Sequence, residues 1–210
     1  MKQVQQIDNI LAGMNSVSEK PMQENRELQS ISQNSSALAL RQKYGSVGNF
    51  LVKCNPSFQR YYTGKPIMAF RHDTPTLGLL RHTFGDKAPV SWLYAEILTV
   101  SEFCGCKDKF SEEQMDETAL LVSTAYPWLK VSELLLFFGW LKLGRYGKFY
   151  GCLDPMVITT SLQDFLVERS NYLSKIEQQE RERKREEEKK KPHYTREEWE
   201  RIKQQQKMEE

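Results

Sequence analysis

Long hydrophobic runs are missing from this chain of 210 residues, in which the longest run, residues 134–138, contains five. A helix that crosses a bilayer needs about 20 consecutive apolar residues. The first ten residues are polar and contain no apolar segment of the kind that a secretory signal peptide requires. We therefore expect a soluble, cytoplasmic protein that does not enter a membrane.

Cysteine and histidine are scarce, with four and three residues. Four cysteines do not make a disulfide framework in a chain of this length, and the CxC pair at 104–106 lacks the ligand spacing of a structural zinc site. No GxSxG, Walker A or HExxH motif occurs, and the RHD triplet at 71–73 lacks the other parts of a kinase active site. We expect reduced thiols, no metal, no cofactor and no enzymatic activity.

Charge of one sign is not in excess, because opposing blocks cancel to a formal net charge of +2. Residues 41–87 carry eight Lys/Arg and two Asp, whereas residues 88–140 carry three Lys and eight Asp/Glu. A net charge near zero argues against a protein that is basic over its whole surface. A basic face is therefore expected only locally.

Residues 36–176 are predicted to form an all-α body of about five to seven helices, with at most one short hairpin at 145–151. Helix starts are indicated by N-cap residues and helix ends by glycine or a following proline. The predicted starts are Ser36, Thr74-Pro75, Pro89, Ser111 and Asp154-Pro155, and the predicted ends are Gly85, Gly105 and the residue before Pro127. The segment 132–143 is apolar nearly all round, which places its helix at the centre of the body.

The two ends of the chain are predicted to lie outside this body. Residues 1–35 are expected to form a short N-terminal helix and a linker, and residues 177–210 a long, projecting, charged helical tail with Glu-to-Lys/Arg pairs at i,i+4. The tail carries Tyr194, Trp199 and Ile202, which one short helix cannot bury alone, so we interpret them as docking residues for a partner protein. The alternatives are a purely local staple or a fold-back onto the body.

A loop that combines basic and aromatic residues follows the central helix at 142–150. Lys142, Arg145 and Lys148 are suited to contacting phosphates, and Tyr146 and Phe149 to stacking on bases. The alternative is that the aromatic rings cover the core while the three cations stay in solvent. Cations of the 41–87 block extend this surface if they share its face, and the candidates are Arg60, Lys65, Arg71 and Arg81.

The stretch 126–173 has a pattern that reads YPxLxxxELxLFF, then KxGxYGxFYGxxDPxxIxxxLxxFxxER. The residues that carry it are Tyr126, Pro127, Leu129, Glu133, Leu134, Phe137, Phe138, Lys142, Gly144, Tyr146, Gly147, Phe149, Tyr150, Gly151, Asp154, Pro155, Ile158, Leu162, Phe165, Glu168 and Arg169. In this stretch the chain resembles a family of uncharacterised bacterial proteins that occur in or near mobile elements. The resemblance implies no catalytic residues, and by association it implies a part in the replication or maintenance of such an element.

Our leading hypothesis is a non-enzymatic binding protein that contacts DNA, or a DNA replication or maintenance complex, through the loop at 142–150. The alternative is a protein–protein adaptor that acts through its tail and N-terminal helix without touching nucleic acid. An enzyme of unknown type is a third hypothesis, and it requires a deep pocket lined by His72, His82 or Glu133. A continuous positive face that includes the loop favours the first hypothesis, and a neutral face with an exposed apolar groove favours the second.

Overall fold

The computed structural model describes residues 33–105, 110–147 and 154–190, and within these ranges the chain is helical without a strand. This confirms the predicted all-α class. The only pairing of the strand type there is an isolated bridge between Thr76 and Lys130. The helices are α1 over 33–44, α2 Val47–Lys53, a 3-10 turn Pro56–Phe58, α3 Gln59–Thr63, α4 Pro66–Arg71, α5 Leu77–Phe84, α6 Lys87–Cys104, α7 Glu112–Ala125, α8 Val131–Lys142 and α9 Pro155–Lys190.

The chain divides into two compact units, Met1–Phe165 and Leu166–Glu210. The second unit is described over residues 166–190, which form the C-terminal part of α9. Every side chain from 177 to 190 is exposed. Arg181 there forms an ion pair with Glu177, which confirms the predicted i,i+4 pair, and Arg183 forms a second with Glu187 at 3.5 Å. No helix in the described ranges has both the length and the apolar character needed to cross a membrane.

Helix α8 lies at the centre of the first unit, as predicted. All its residues from 131 to 141 are buried, and it packs against α3, α4 and α6. The start of α9 closes this core through Phe165, whose ring lies 5.6 Å from that of Phe137 and 6.0 Å from that of Trp140 between ring centroids. A helix that is apolar on all sides is stable only where neighbours cover each side, which is the position of α8.

Local capping signals set several helix boundaries where the sequence predicts them. Ser111 and Gln114 form a reciprocal capping box at the start of α7, and the Asp154 carboxylate accepts a hydrogen bond from the amide of Val157 at 2.9 Å. Gly85 and Gly105 end α5 and α6 with φ of 94° and 61°, a region that side chains with a Cβ disfavour. Helix α7 ends at Ala125, before Pro127.

Three predicted starts are wrong. Residue 33 is already helical, so Ser36 lies inside α1, and α6 begins at Lys87 rather than at Pro89. Helix α5 begins at Leu77, with Thr76 as the N-cap in place of Thr74-Pro75. The Thr74 hydroxyl instead forms a 2.8 Å hydrogen bond with the hydroxyl of Ser132, 58 residues away. The Thr74 hydroxyl, which the local sequence pattern predicts to be an N-cap, is therefore used in a tertiary hydrogen bond.

Candidate functional site

A cavity of about 350 Å³ opens where the C-terminal ends of α6 and α8 meet the 3-10 turn and α3. It is called the α3–α8 cavity below, and its described lining consists of Pro56, Ser57, Gln59, Arg60, Thr63, Phe103, Gly139, Lys142 and Leu143. Among these residues two are cationic and none is acidic. The volume lies in the range of natural small-ligand sites. The cavity is therefore suited to an anionic ligand.

A glycine brings the two walls of the cavity together. A Cβ placed on Gly139 would overlap Thr63 Cγ2 and would lie 3.1 Å from the carbonyl oxygen of Gln59. Helices α3 and α8 therefore approach at a separation that only a residue without a side chain allows. Lys142 follows Gly139 by three residues, close to one turn, and this brings its side chain to the same cavity as Arg60.

Lys142 is half-buried in the wall of the cavity, and its ammonium nitrogen lies 5.7 Å from the centroid of the Phe103 ring. This is within the range of a cation–π contact. Burial lowers the pKa of Lys142, while Glu96, Cys104 and Glu102 act in the opposite direction. Phe103 itself is 64% exposed. A partly desolvated cation thus stands beside an exposed aromatic face.

A buried carboxyl group lies behind this wall. Glu96 on α6 is fully buried, and its Oε2 accepts a hydrogen bond from Nε2 of Gln59, which lines the cavity. No hydrogen-bond partner for Glu96 Oε1 occurs in the part of the chain that the structure describes. Burial raises the pKa of Glu96 to about 8, and the opposing effects of Gln59 and Lys142 are smaller. The carboxyl is therefore mainly protonated at neutral pH.

The loop residues predicted to bind nucleic acid fall into three different environments. Lys142 lines the α3–α8 cavity, whereas Arg145 is exposed, with its guanidinium carbon 3.9 Å from the centroid of the Trp140 ring. Tyr146 is half-buried, and its ring lies 5.9 Å from that of Phe137 in the core. This position of Tyr146 matches the alternative in which the loop aromatics cover the core. Lys148 and Phe149 lie outside the described residues, as do Tyr194, Trp199 and Ile202 of the tail.

The lining of the α3–α8 cavity includes one of the four candidate cations of the basic block 41–87. Arg60 lines the cavity with Lys142, but Lys65, Arg71 and Arg81 are not part of its lining. Arg81 lies 3.8 Å from Asp86 Oδ1 and donates to the hydroxyl of Ser123 at 3.2 Å. Arg60 is therefore the cation of these four that meets Lys142 in the cavity.

Residues 109–209 match a family of unknown function, DUF6633. No curated protein and no solved structure matches the chain. The matched range includes α7, α8 and the described part of α9, and therefore the wall of the cavity that carries Gly139 and Lys142. Arg60 and Phe103, on the facing walls, precede this range.

His72 and Glu133, which were considered as catalytic residues, each have a hydrogen-bond partner. His72 Nδ1 lies 2.7 Å from the hydroxyl of Tyr62, and the carboxylate of Glu133 accepts the backbone N–H of Lys130 at 3.1 Å. His72, His82 and Glu133 do not line the α3–α8 cavity. Within the described ranges, no three His, Cys, Asp or Glu side chains lie close enough together to hold a metal ion. Cys54 is buried, which raises the pKa of its thiol.

Sequence reasoning missed Phe103, Gln59 and Glu96. A signal for Glu96 was present, because it lies four residues from both Trp92 and Val100, two members of the apolar face of α6. A glutamate at that spacing must point into the core with them. Phe103 has no comparable signal, since nothing in the local sequence distinguishes an exposed phenylalanine from a buried one.

Proposed function

We propose that the protein is a non-enzymatic DNA-binding protein that contacts phosphates through the α3–α8 cavity. The observation that carries the proposal is the meeting of Arg60 and Lys142, 82 residues apart in the chain, in one cavity whose described lining has no acidic side chain. Arginine and lysine are the residues that most often contact nucleic-acid phosphates. Arg145, two residues beyond Leu143 at the rim, adds an exposed cation to the same end of α8.

The electrostatics of the cavity support an anionic ligand. Burial lowers the pKa of Lys142, and the neighbouring Glu96 is mainly protonated at neutral pH, since its own pKa is raised to about 8. A phosphate in the cavity would supply the negative charge that Glu96 does not. The resemblance of residues 126–173 to proteins of bacterial mobile elements favours DNA as the source of that phosphate, with replication or maintenance of the element as its setting.

Fluorescence anisotropy with labelled DNA at several salt concentrations tests the proposal. Each phosphate contact contributes about −0.9 to the slope of log K against log[salt] on duplex and about −0.7 on single strands. Arg60→Gln and Lys142→Gln should each weaken binding and flatten the slope by roughly that amount. The matched control is Lys87→Gln, because Lys87 is exposed at the opposite end of α6, roughly 24 Å from Phe103 at 1.5 Å per residue.

Two results would overturn this function. One is the absence of wild-type binding to single-stranded or duplex DNA at low salt. The other is an equal loss in Lys87→Gln and in the two cavity variants, since this would mean that any surface cation serves. Circular dichroism of each variant must first match that of the wild type, because Lys142 is half-buried.

The adaptor hypothesis is the second candidate. The predicted N-terminal helix and the tail residues through which it would act lie outside the described residues, and exposed apolar side chains on and after α7 offer a further surface that favours it. Leu120 is 53% exposed, Leu121 57% and Trp128 47%. Apolar groups that cluster on a surface are typical of protein contacts. If this function holds in place of DNA binding, immobilised protein should retain a partner that is lost in the variant Leu120→Ser/Leu121→Ser or on removal of the tail residues Tyr194, Trp199 and Ile202. Retention by every variant would exclude both surfaces.

A further inference from the structure

We propose that the α3–α8 cavity takes up one unpaired nucleotide, with its phosphate between Arg60 and Lys142 and its base on the ring of Phe103. The protein then prefers single-stranded to duplex DNA. This inference rests on the proposed DNA-binding function and specifies the form of nucleic acid that the cavity recognises. It uses an aromatic residue that lies outside the predicted loop.

The shape of the cavity is the first argument. The phosphates of a duplex lie on a convex surface with the bases turned inward, so a concave site can reach them only at its rim. A volume of about 350 Å³ is near the lower limit of small-ligand sites and is suited to one small unit rather than to a helix. An unpaired nucleotide turns its base outward and can enter such a site.

The arrangement of Lys142 and Phe103 is the second argument. The ammonium nitrogen of Lys142 is 5.7 Å from the centroid of the Phe103 ring, so a phosphate-binding group and a stacking group stand within the length of one nucleotide. A phosphate that draws the ammonium away from the ring frees the ring face for a base. Sites for single strands combine these two components, a cationic groove and an aromatic platform.

The exposure of Phe103 is the third argument. The ring is 64% exposed on the last turn of α6, although the buried face of that helix contains Trp92, Ile97 and Val100. Packing of the core therefore does not require it. Its neighbours at the cavity are Lys142 and Leu143, and Leu143 is 72% exposed. An apolar rim beside two cations is complementary to a base attached to a phosphate.

The test compares a labelled short oligothymidine, the same strand in a duplex, and a strand of equal length with abasic sites. Phe103→Ala should weaken binding to oligothymidine by about 10-fold, in the range of alanine replacement at stacking positions, with an unchanged salt slope. Phe103→Trp should retain the affinity. The matched control is Phe58→Ala, because Phe58 is also exposed, at 43%, but does not line the cavity. Wild type and Phe103→Ala should bind the abasic strand equally.

The outcomes separate this inference from the function on which it rests. Equal wild-type affinity for single-stranded and duplex DNA, or wild-type affinity of Phe103→Ala for oligothymidine, overturns the nucleotide site and leaves DNA binding standing. Absence of binding to every DNA form overturns both. Displacement of the strand by thymidine monophosphate at comparable concentrations would assign the cavity to a free nucleotide and would overturn the single-strand proposal. Thermal melting of Phe103→Ala should match the wild type, because the ring is exposed.

Discussion

The carboxyl group of Glu96 on α6 accepts a hydrogen bond from the side-chain amide of Gln59 on α3, and both residues are buried. This bond joins the helix that carries Phe103 to the helix that carries Arg60. Gln59 satisfies one carboxyl oxygen, and within the described part of the chain the other has no hydrogen-bond partner. A buried carboxylate in such surroundings is costly, so the group takes up a proton instead.

Titration of Glu96 should make the protein less stable as the pH rises. Its ordinary pKa is 4.5, which applies to the unfolded chain, and burial raises the value to about 8 in the folded protein. Between these values the folded state binds more protons, so the free energy of unfolding falls with increasing pH, by at most about 1.4 kcal/mol per pH unit from this group. Below pH 4.5 and above pH 8 its contribution is constant.

Urea denaturation of wild type and Glu96→Gln at pH 5, 6, 7 and 8 measures this effect. The neutral amide cannot titrate, so the difference between the two proteins should shift in favour of Glu96→Gln as the pH rises. Glu102→Gln is the control, because Glu102 is exposed on the same helix and its replacement should leave the pH dependence of the wild type in place. A difference between wild type and Glu96→Gln that does not change with pH would contradict the assignment.

The buried ring of Phe137 should contribute strongly to stability. It is fully buried at the centre of α8 and contacts the rings of Phe138, Tyr146 and Phe165. Phe137→Ala should lower the free energy of unfolding by about 3–5 kcal/mol, because the surrounding rings cannot collapse into the space. Leu143→Ala, exposed just beyond the same helix, should change it little, and a wild-type melting curve for Phe137→Ala would refute the central position of α8.

Those parts of the fold that depend on local chemistry were predictable. The apolar run of α8 leaves no polar side for solvent, and the capping box of Ser111 acts within one turn. Thr74 shows where local prediction fails. A threonine followed by a proline predicts a helix start, and only the structure shows that its hydroxyl is hydrogen-bonded to the distant Ser132 instead. Local signals thus identified the elements, and contacts distant in the chain decided between competing uses of one side chain.

The candidate site was predicted in part. Lys142 and Arg145 are basic side chains near a helix end, and both reach the surface. Lys142 meets Arg60 because α3 approaches α8 closely at Gly139. The sequence does not predict this approach, since a glycine inside an apolar helix indicates only a lower helix propensity. Tyr146 could equally cover the core or face a ligand, because the side chain has an apolar ring and a polar end.

Gly139 should tolerate no side chain without loss of stability. A methyl group there overlaps Thr63 Cγ2 and lies 3.1 Å from the backbone of α3, so Gly139→Ala should cost about 1–3 kcal/mol despite the better helix propensity of alanine. Thr63→Ser removes the methyl and keeps the hydroxyl that donates to the carbonyl of Arg60, so it should restore part of the loss in the double variant.

Gly48→Ala is the control for Gly139→Ala in equilibrium denaturation. Gly48 also lies inside a helix, α2, but the nearest heavy atom to a Cβ there is the side-chain oxygen of Ser46 at 3.8 Å. This replacement should therefore raise stability by about 0.5–1 kcal/mol, from helix propensity alone. If the two alanine variants change stability in the same direction, the close approach of α3 and α8 is not the reason for glycine at 139.

Arg145 is expected to have two roles, since its guanidinium lies over the Trp140 ring at 3.9 Å while the side chain is exposed. Stacking uses the face of the guanidinium, and the positive charge of the exposed side chain remains at the surface. Arg145→Ala should therefore lower stability by about 0.5–1 kcal/mol in thermal or urea unfolding.

The triple variant Lys142→Ala/Arg145→Ala/Lys148→Ala should flatten the salt slope of DNA binding by roughly two to three units. Arg145→Lys should keep the charge and most of the slope, but it should lose part of the stacking. If the triple variant binds DNA with the slope of the wild type, the phosphate contacts lie elsewhere, and the exposed cations of the 41–87 block become the next to replace.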